Sequence, residues 1–184
     1  MNIKLIEPKS NPNNKKQASF IMAYAETNVW RNYSGISKQN KDTIVPLVLM
    51  MQRWDGLIGF IGGEVEPGED LISSSIREFQ EETGYALSND QIKKFNFLCS
   101  HETDNLVTHL ITAKVSEFVL RDILTNSNKA EHFMSEGTLF TTQMINYPHV
   151  RSFDNFMLNN FAPTVKEEIF HAVEALDWKT KYNL

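Results

Sequence analysis

The sequence predicts an α/β fold, and three observations point there. Its apolar runs are strand-sized, the longest lying around residues 44–51 and 57–61. Two segments carry helical spacing instead. Ile72, Ile76 and Phe79 recur at i, i+4 and i+7, and Val165, Ile169, Ala172, Val173 and Leu176 share one face further on. Finally, 184 residues at 41% hydrophobic content are enough for one domain with a real core. The whole chain, 1–184, is therefore read as a single domain, with residues 1–17 partly loop.

The elements follow in order. Residues 8–17 are rich in Asn, Lys, Pro and Ser and read as loop. Residues 18–25 are a strand, and the polar stretch 27–42 is a long connection. Residues 43–53 form a near-continuous apolar run, a buried strand with Pro46 near its start. Trp54-Asp55-Gly56 is a turn, 57–61 a short strand, and 62–68 a glycine-bounded loop. A helix is expected over 69–83, with Gly84 placed to end it in a left-handed cap. Strands are expected at 95–102, 106–115 and 137–144, a short helix at 116–124, and one long C-terminal helix over 162–178.

Composition narrows the chemistry. The net charge of −5 disfavours holding nucleic acid through a basic surface alone, and makes metal ions the natural screen if phosphates are handled. The single cysteine, Cys99, excludes an internal disulfide framework and cysteine-rich zinc sites, and fits a reducing, cytoplasmic setting. Cys99 lies in an apolar strand, which should raise its pKa and keep it unreactive. The charged N-terminal stretch does not read as a signal peptide, and no apolar run approaches the roughly 18 residues of a membrane span.

Six of the eight glycines fall between Gly56 and Gly84. Glycine is used where a backbone turns sharply or approaches something closely. The helix after them carries Glu78, Glu81 and Glu82 within an arc of about 100°. These carboxylates are expected to point away from the Ile72/Ile76/Phe79 stripe. Like charges at i, i+3 and i+4 destabilise a helix, and the last turn disfavours anions. A bound hard cation, Mg²⁺, Mn²⁺ or Ca²⁺, is the simplest compensation. Arg77 is placed to orient one of the carboxylates.

Gly63, Glu69, Arg77, Glu78, Phe79, Glu81, Glu82, Gly84 and Tyr85 match G-x5-E-x7-R-E-U-x-E-E-x-G-U, the Nudix box, at every spacing. Phe79 and Tyr85 stand where the bulky apolar position U is more often aliphatic. The chain thus resembles the Nudix hydrolases. That resemblance implies an α/β/α sandwich with a mixed sheet, and hydrolysis of a nucleoside diphosphate linked to another group by water attack on phosphorus. It implies Mg²⁺ or Mn²⁺ as cofactor, held by Glu78, Glu81, Glu82 and the Gly63 backbone. Glu78 is also able to act as base, with Glu69 and Arg77 bracing the cluster.

The run 50–63 leading into the box resembles the small-nucleolar-RNA decapping and inosine-diphosphatase branch. So do Ser100-His101, Thr108-His109 and residues 156–176. This implies substrate contacts at Phe20, Arg53, Phe60 and Glu168, with Thr164 nearby, and a homodimer. Each has a structural alternative: core packing for Phe20, a strand-end ion pair for Arg53, a solvated helix position for Glu168. His101 is open between a structural and a site role. Glu102, Glu131 and Glu136 are equal candidates for one more carboxylate at the metal. Glu168 is expected to be an ionised acceptor that favours a purine bearing N1–H. The substrates expected are purine nucleoside di- or triphosphates or capped RNA ends, the alternatives being ADP-ribose or dinucleotides, or a module that binds without turnover.

Overall fold

The computed structural model describes residues 2–28, 44–146, 152–182 and 184. Its eight strands form one mixed sheet: β1 Lys4–Ile6, β2 Lys16–Thr27, β3 Val45–Arg53, β4 Ile58–Gly59, β5 Ile61–Glu64, β6 Asn96–Glu102, β7 Leu106–Lys114 and β8 Gly137–Gln143. The helices are α1 Leu71–Thr83, α2 Asn89–Ile92, α3 Glu117–Asn126, α4 Ser152–Phe156, α5 Val165–Ala175 and α6 Trp178–Tyr182. The main path runs β1-β6-β7-β2-β3-β4.

The central strand β2 organises this sheet. One edge pairs in parallel with β7 from Lys16 to Tyr24. The other edge is shared: β5 takes Ala18–Ile21, and β3 takes Tyr24–Thr27. β8 closes the far side of β3, setting Gly137 opposite Arg53.

Strand alternation separates two cores. Ile21, Ala23, Ala25, Leu49 and Ile111 face one way and pack with Phe79 of α1 and with Leu120 and Ile123 of α3. Met22, Tyr24, Val48, Met50 and Leu110 face the other way, onto Ile169, Ala172 and Val173 of α5, Phe153 of α4 and Trp178 of α6. Helices on both faces of a mixed sheet make the α/β/α sandwich that the resemblance implied.

Several expectations need correction. The strand expected over 57–61 is two short strands, β4 and β5, and β5 runs on through Gly62 and Gly63 into the segment expected as loop. A side chain at Gly62 would strike the Ser19 carbonyl oxygen and the Phe20 Cα, so only glycine lets β5 lie this close to β2. The expected C-terminal helix breaks into α5 and α6 at Asp177, whose φ is 54°. That turn sets Trp178 edge-on against Tyr24, with centroids 5.1 Å apart. β1, α2 and α4 are too short to leave a periodic signal. The connection expected over 27–42 lies outside the described residues, except for Thr27 and Asn28.

Candidate active site

Helix α1 is defined at both ends by local chemistry. Asp70 accepts from the amides of Ile72 and Ser73 at 2.9 and 3.1 Å. Gly84, at φ 68°, donates back to the Gln80 carbonyl. The helix sits against the β2–β5 junction, where Ser75 and Ser19 share a buried hydroxyl contact.

Arg77 is the hub of the glutamates. Its Nε and Nη2 donate to the two oxygens of Glu69, each at 3.1 Å. Its Nη1 reaches Glu78 Oε1 at 2.8 Å and Glu81 Oε2 at 3.0 Å. Nη2 also donates to the Glu64 carbonyl, tying the helix to β5. Hydrogen bonding from Arg77 holds Glu69 below the usual carboxylate range and pushes the guanidinium up.

Glu82 departs from expectation. It lies on the buried face of α1 beside Phe79, not away from it, and is 7% exposed. Its Oε2 accepts from the Gly62 amide at 2.8 Å. Burial pushes Glu82 up to about 8, and the charges of Glu78 and Glu136 add to the rise. Glu78 is also raised, again chiefly by burial, with Glu81 and Glu136 contributing. The Gly63 backbone is pressed against Glu78: a Cβ there would lie 2.6–2.8 Å from its carboxylate atoms.

The three later carboxylates separate. Glu102 stands on β6, bound to Lys15 at 3.1 Å and to Asn13. Glu131 lines a cleft of about 500 Å³ with Arg77, Gln80, Glu81 and Lys129. Glu136, just before β8, is the one whose charge acts on both Glu78 and Glu82. Sequence spacing carried no signal for this proximity, because the turn that carries Glu136 meets α1 only in the folded chain, where the His132 amide donates to the Glu81 carbonyl at 3.1 Å.

The expected substrate residues are spread over the sheet. Phe20 is half-buried on the α5 side of β2. Phe60 is 2% exposed and belongs to the core. Arg53 forks onto Asp55 at 3.0 and 3.3 Å, the strand-end pair, and its charge reaches Glu82. Glu168 is buried in the first turn of α5, not solvated. The hydroxyls of Thr108 and Thr164 lie 2.9 Å from its Oε1, while Oε2 has no hydrogen-bond partner among the described residues. Burial pushes Glu168 up to about 7, so it is not the fully ionised acceptor expected. His101 is buried next to it, with Nδ1 at 3.8 Å from Oε1. Thr164 also borders a separate cavity with Leu57, Phe161 and Glu167.

A family profile described as "Nudt16-like: U8 snoRNA-decapping enzyme-like" matches residues 17–178. The chain belongs to this Nudt16-like family of Nudix proteins. A U8 snoRNA-decapping enzyme of Homalodisca vitripennis is 30% identical over 130 residues, covering 68% of this chain and 66% of that protein. A Tudor-interacting repair regulator protein of Gallus gallus is 29% identical over 139 residues, covering 71% of this chain and 42% of that one. The chain thus matches just under two thirds of the first relative and less than half of the second. A MutT/nudix family protein of Enterococcus faecalis shares the fold, with a TM-score of 0.62 at 15% identity over 93% of this chain and 65% of that one. Among the described residues no helix is long and apolar enough to cross a membrane.

Proposed function

We propose that this Nudt16-like chain is a divalent-metal-dependent pyrophosphohydrolase acting on purine nucleoside di- or triphosphates or on capped RNA ends. The observation that carries the proposal is the complete glutamate set. Glu69, Glu78 and Glu81 are gathered by Arg77, and Glu82 is buried on the Gly62 amide with Glu78 and Glu136 raising its pKa. Buried carboxylates that repel one another cost stability unless a cation offsets them.

The donor set suits Mg²⁺ or Mn²⁺: hard carboxylate oxygens, with a glycine backbone drawn against one of them. Among the described residues no three acidic, histidine or cysteine side chains converge as a ready cage. Glu78 and Glu81 would have to turn from Arg77 to ligate. Glu78, Glu81, Glu82 and the Gly63 backbone would hold the ion, which when bound supplies phosphate screening and a more acidic water.

The remaining chemistry belongs to the protein. Glu69 fixes Arg77, and Arg77 keeps Glu78 and Glu81 on the β5 side of the helix. Glu78, its pKa raised by burial, is the base that takes the proton of the attacking water. Glu136 adds charge from the far side. Arg53, next to this cluster, can leave Asp55 for a phosphate oxygen. At the other end, Phe20 and the buried Glu168–Thr164 pair would receive the base. An ionised Glu168 accepts from N1–H of hypoxanthine or guanine but faces the lone pair of adenine N1.

The test is a panel of inosine, guanosine and adenosine di- and triphosphates, ADP-ribose and capped RNA with Mg²⁺ or Mn²⁺. Glu82→Gln should lose at least about a hundredfold in turnover, and EDTA should abolish it. Full activity in either condition would sink the assignment. The regulator-named chicken relative keeps a second reading in view, a module that binds nucleotide without turnover. No hydrolysis with retained nucleotide binding would select it.

A further inference from the structure

Trp54 is 73% exposed, while Trp178 is 2% exposed. A bare indole is an unusual surface feature, because tryptophan carries the largest apolar area of any side chain. Phe133, at 47%, and Met134, at 72%, are exposed as well. Trp54 and the consecutive pair Phe133 and Met134 come from distant parts of the chain and meet at one place in the backbone. The Trp54 amide donates to the Glu136 carbonyl at 3.0 Å. Arg53 is the register partner of Gly137, and Phe133 bridges the same Gly137. The backbones of Trp54 and Phe133 therefore each lie about one strand spacing, roughly 5 Å, from the 136–137 segment. A Cβ on Gly137 would fall 2.3 Å from the Gln52 carbonyl oxygen, so this junction is packed too tightly to slide.

The patch adjoins the carboxylate cluster. His132, next to Phe133, donates its amide to the Glu81 carbonyl at 3.1 Å, and Glu136, whose carbonyl holds the Trp54 amide, is near enough for its charge to act on Glu78 and Glu82. The ionisable side chains around the patch are Arg53, Asp55, His132 and Glu136. Arg53 is paired with Asp55, and His132 Nδ1 lies 3.7 Å from Glu136. Among the described residues the cation of this surface, Arg53, is held by Asp55, and the surface also offers flat and polarizable faces beside the place where phosphates would be cleaved.

We propose that Trp54, with Phe133 and Met134, is a stacking platform for a nucleobase joined through its ribose to the far end of the cleaved phosphate chain, away from Glu168. The proposal rests on the hydrolase reading and adds a second base to it. The ligand chemistry is a substrate with a base at both ends, either a dinucleoside polyphosphate or the cap-proximal end of an RNA. Stacking tolerates any base, since every base has a π-face.

The experiment compares wild type, Trp54→Ala and Trp54→Phe on inosine diphosphate, a dinucleoside tetraphosphate and a short capped RNA, each with Mg²⁺. In Trp54→Ala the two-base to one-base ratio of kcat/KM should fall at least about fivefold, the lower end of base–aromatic stacking. The loss should sit in KM, and Trp54→Phe should restore most of it. Loss on the dinucleotide, on the RNA, or on both identifies the source of the base. An unchanged ratio overturns the proposal. So does an unchanged ratio accompanied by loss of a wild-type dimer in light scattering, which would assign the patch to a second copy of the chain. If wild type cleaves none of the three, the hydrolase reading has failed and the platform is tested separately by fluorescence. Quenching of wild-type tryptophan emission by the dinucleoside tetraphosphate, absent in Trp54→Phe, supports it; equal quenching or none overturns it.

Discussion

Replacing Glu168 by glutamine should change how stability depends on pH. The carboxyl is buried against Thr108 and Thr164, its second oxygen has no hydrogen-bond partner among the described residues, and burial raises its pKa from 4.5 to about 7. A carboxyl raised on folding holds its proton longer in the folded chain than in the unfolded one. Its contribution is therefore fully present below pH 4.5 and is lost as pH rises towards 7, the reverse of a carboxylate held by a cation. The difference of about 2.5 pH units corresponds to roughly 3 kcal/mol. Glutamine keeps the shape and the acceptor for the threonines but does not titrate. Its amide nitrogen, if unpartnered, costs about 1–3 kcal/mol at every pH, so the test is the change in the mutant-minus-wild-type difference. Urea unfolding of both proteins at pH 5, 6, 7 and 8 should show glutamine gaining on glutamate by about 2.5 kcal/mol across that range. Glu82, away from α5, titrates in both proteins and largely cancels, whereas His101, with Nδ1 3.8 Å from Glu168, is removed from the comparison by measuring the same pair in a His101→Gln background. A difference that stays flat with pH would refute the argument, and would mean that Glu168 is solvated or paired in solution.

Gly63→Ala should lose most activity while leaving Tm within a few degrees, because its Cβ would meet the Glu78 carboxylate at 2.6–2.8 Å and displace a flexible side chain rather than backbone. Calorimetry beside a turnover assay checks this, and unchanged turnover would free Gly63 from the site. Cys99→Ser should stay active, since the thiol is 1% exposed and burial pushes its pKa far up. Hydrolysis of the Cys99→Ser variant in ¹⁸O-water should place the label on a phosphate product; label absent from phosphorus would remove water attack there. Inosine and guanosine diphosphates should exceed adenosine diphosphate in kcat/KM, more so at pH 8 than at pH 6, as Glu168 ionises through about 7. A Glu168→Ala variant with the same base ratios would remove Glu168 from the pocket.

The glutamate cluster was legible in the sequence because a helix is local. Once the Ile72/Ile76/Phe79 stripe sets the phase and Gly84 the end, the positions of Arg77, Glu78 and Glu81 follow from 100° per residue, and Arg77 meets both glutamates. The strand over 18–25 and the apolar run of β3 were legible for the same reason, since each is a property of its own stretch of chain. Tertiary structure alone decided the rest. The burial of Glu82 depends on β5 lying against β2, a contact permitted by Gly62 and invisible to a helical wheel. The charge of Glu136 acts on Glu78 and Glu82 because the turn before β8 is tied to α1 through the His132 amide and the Glu81 carbonyl, whereas Glu102 is taken by Lys15 at the other end of the sheet. From the sequence Glu168 is open between a solvated helix position and one facing inward, until α5 folds over and brings Thr108 of β7 onto it. Spacing along one element fixes what that element presents. Which groups from different elements share a dielectric, and so which carboxylates repel or hold a proton, is set by strand register over separations that no local pattern encodes.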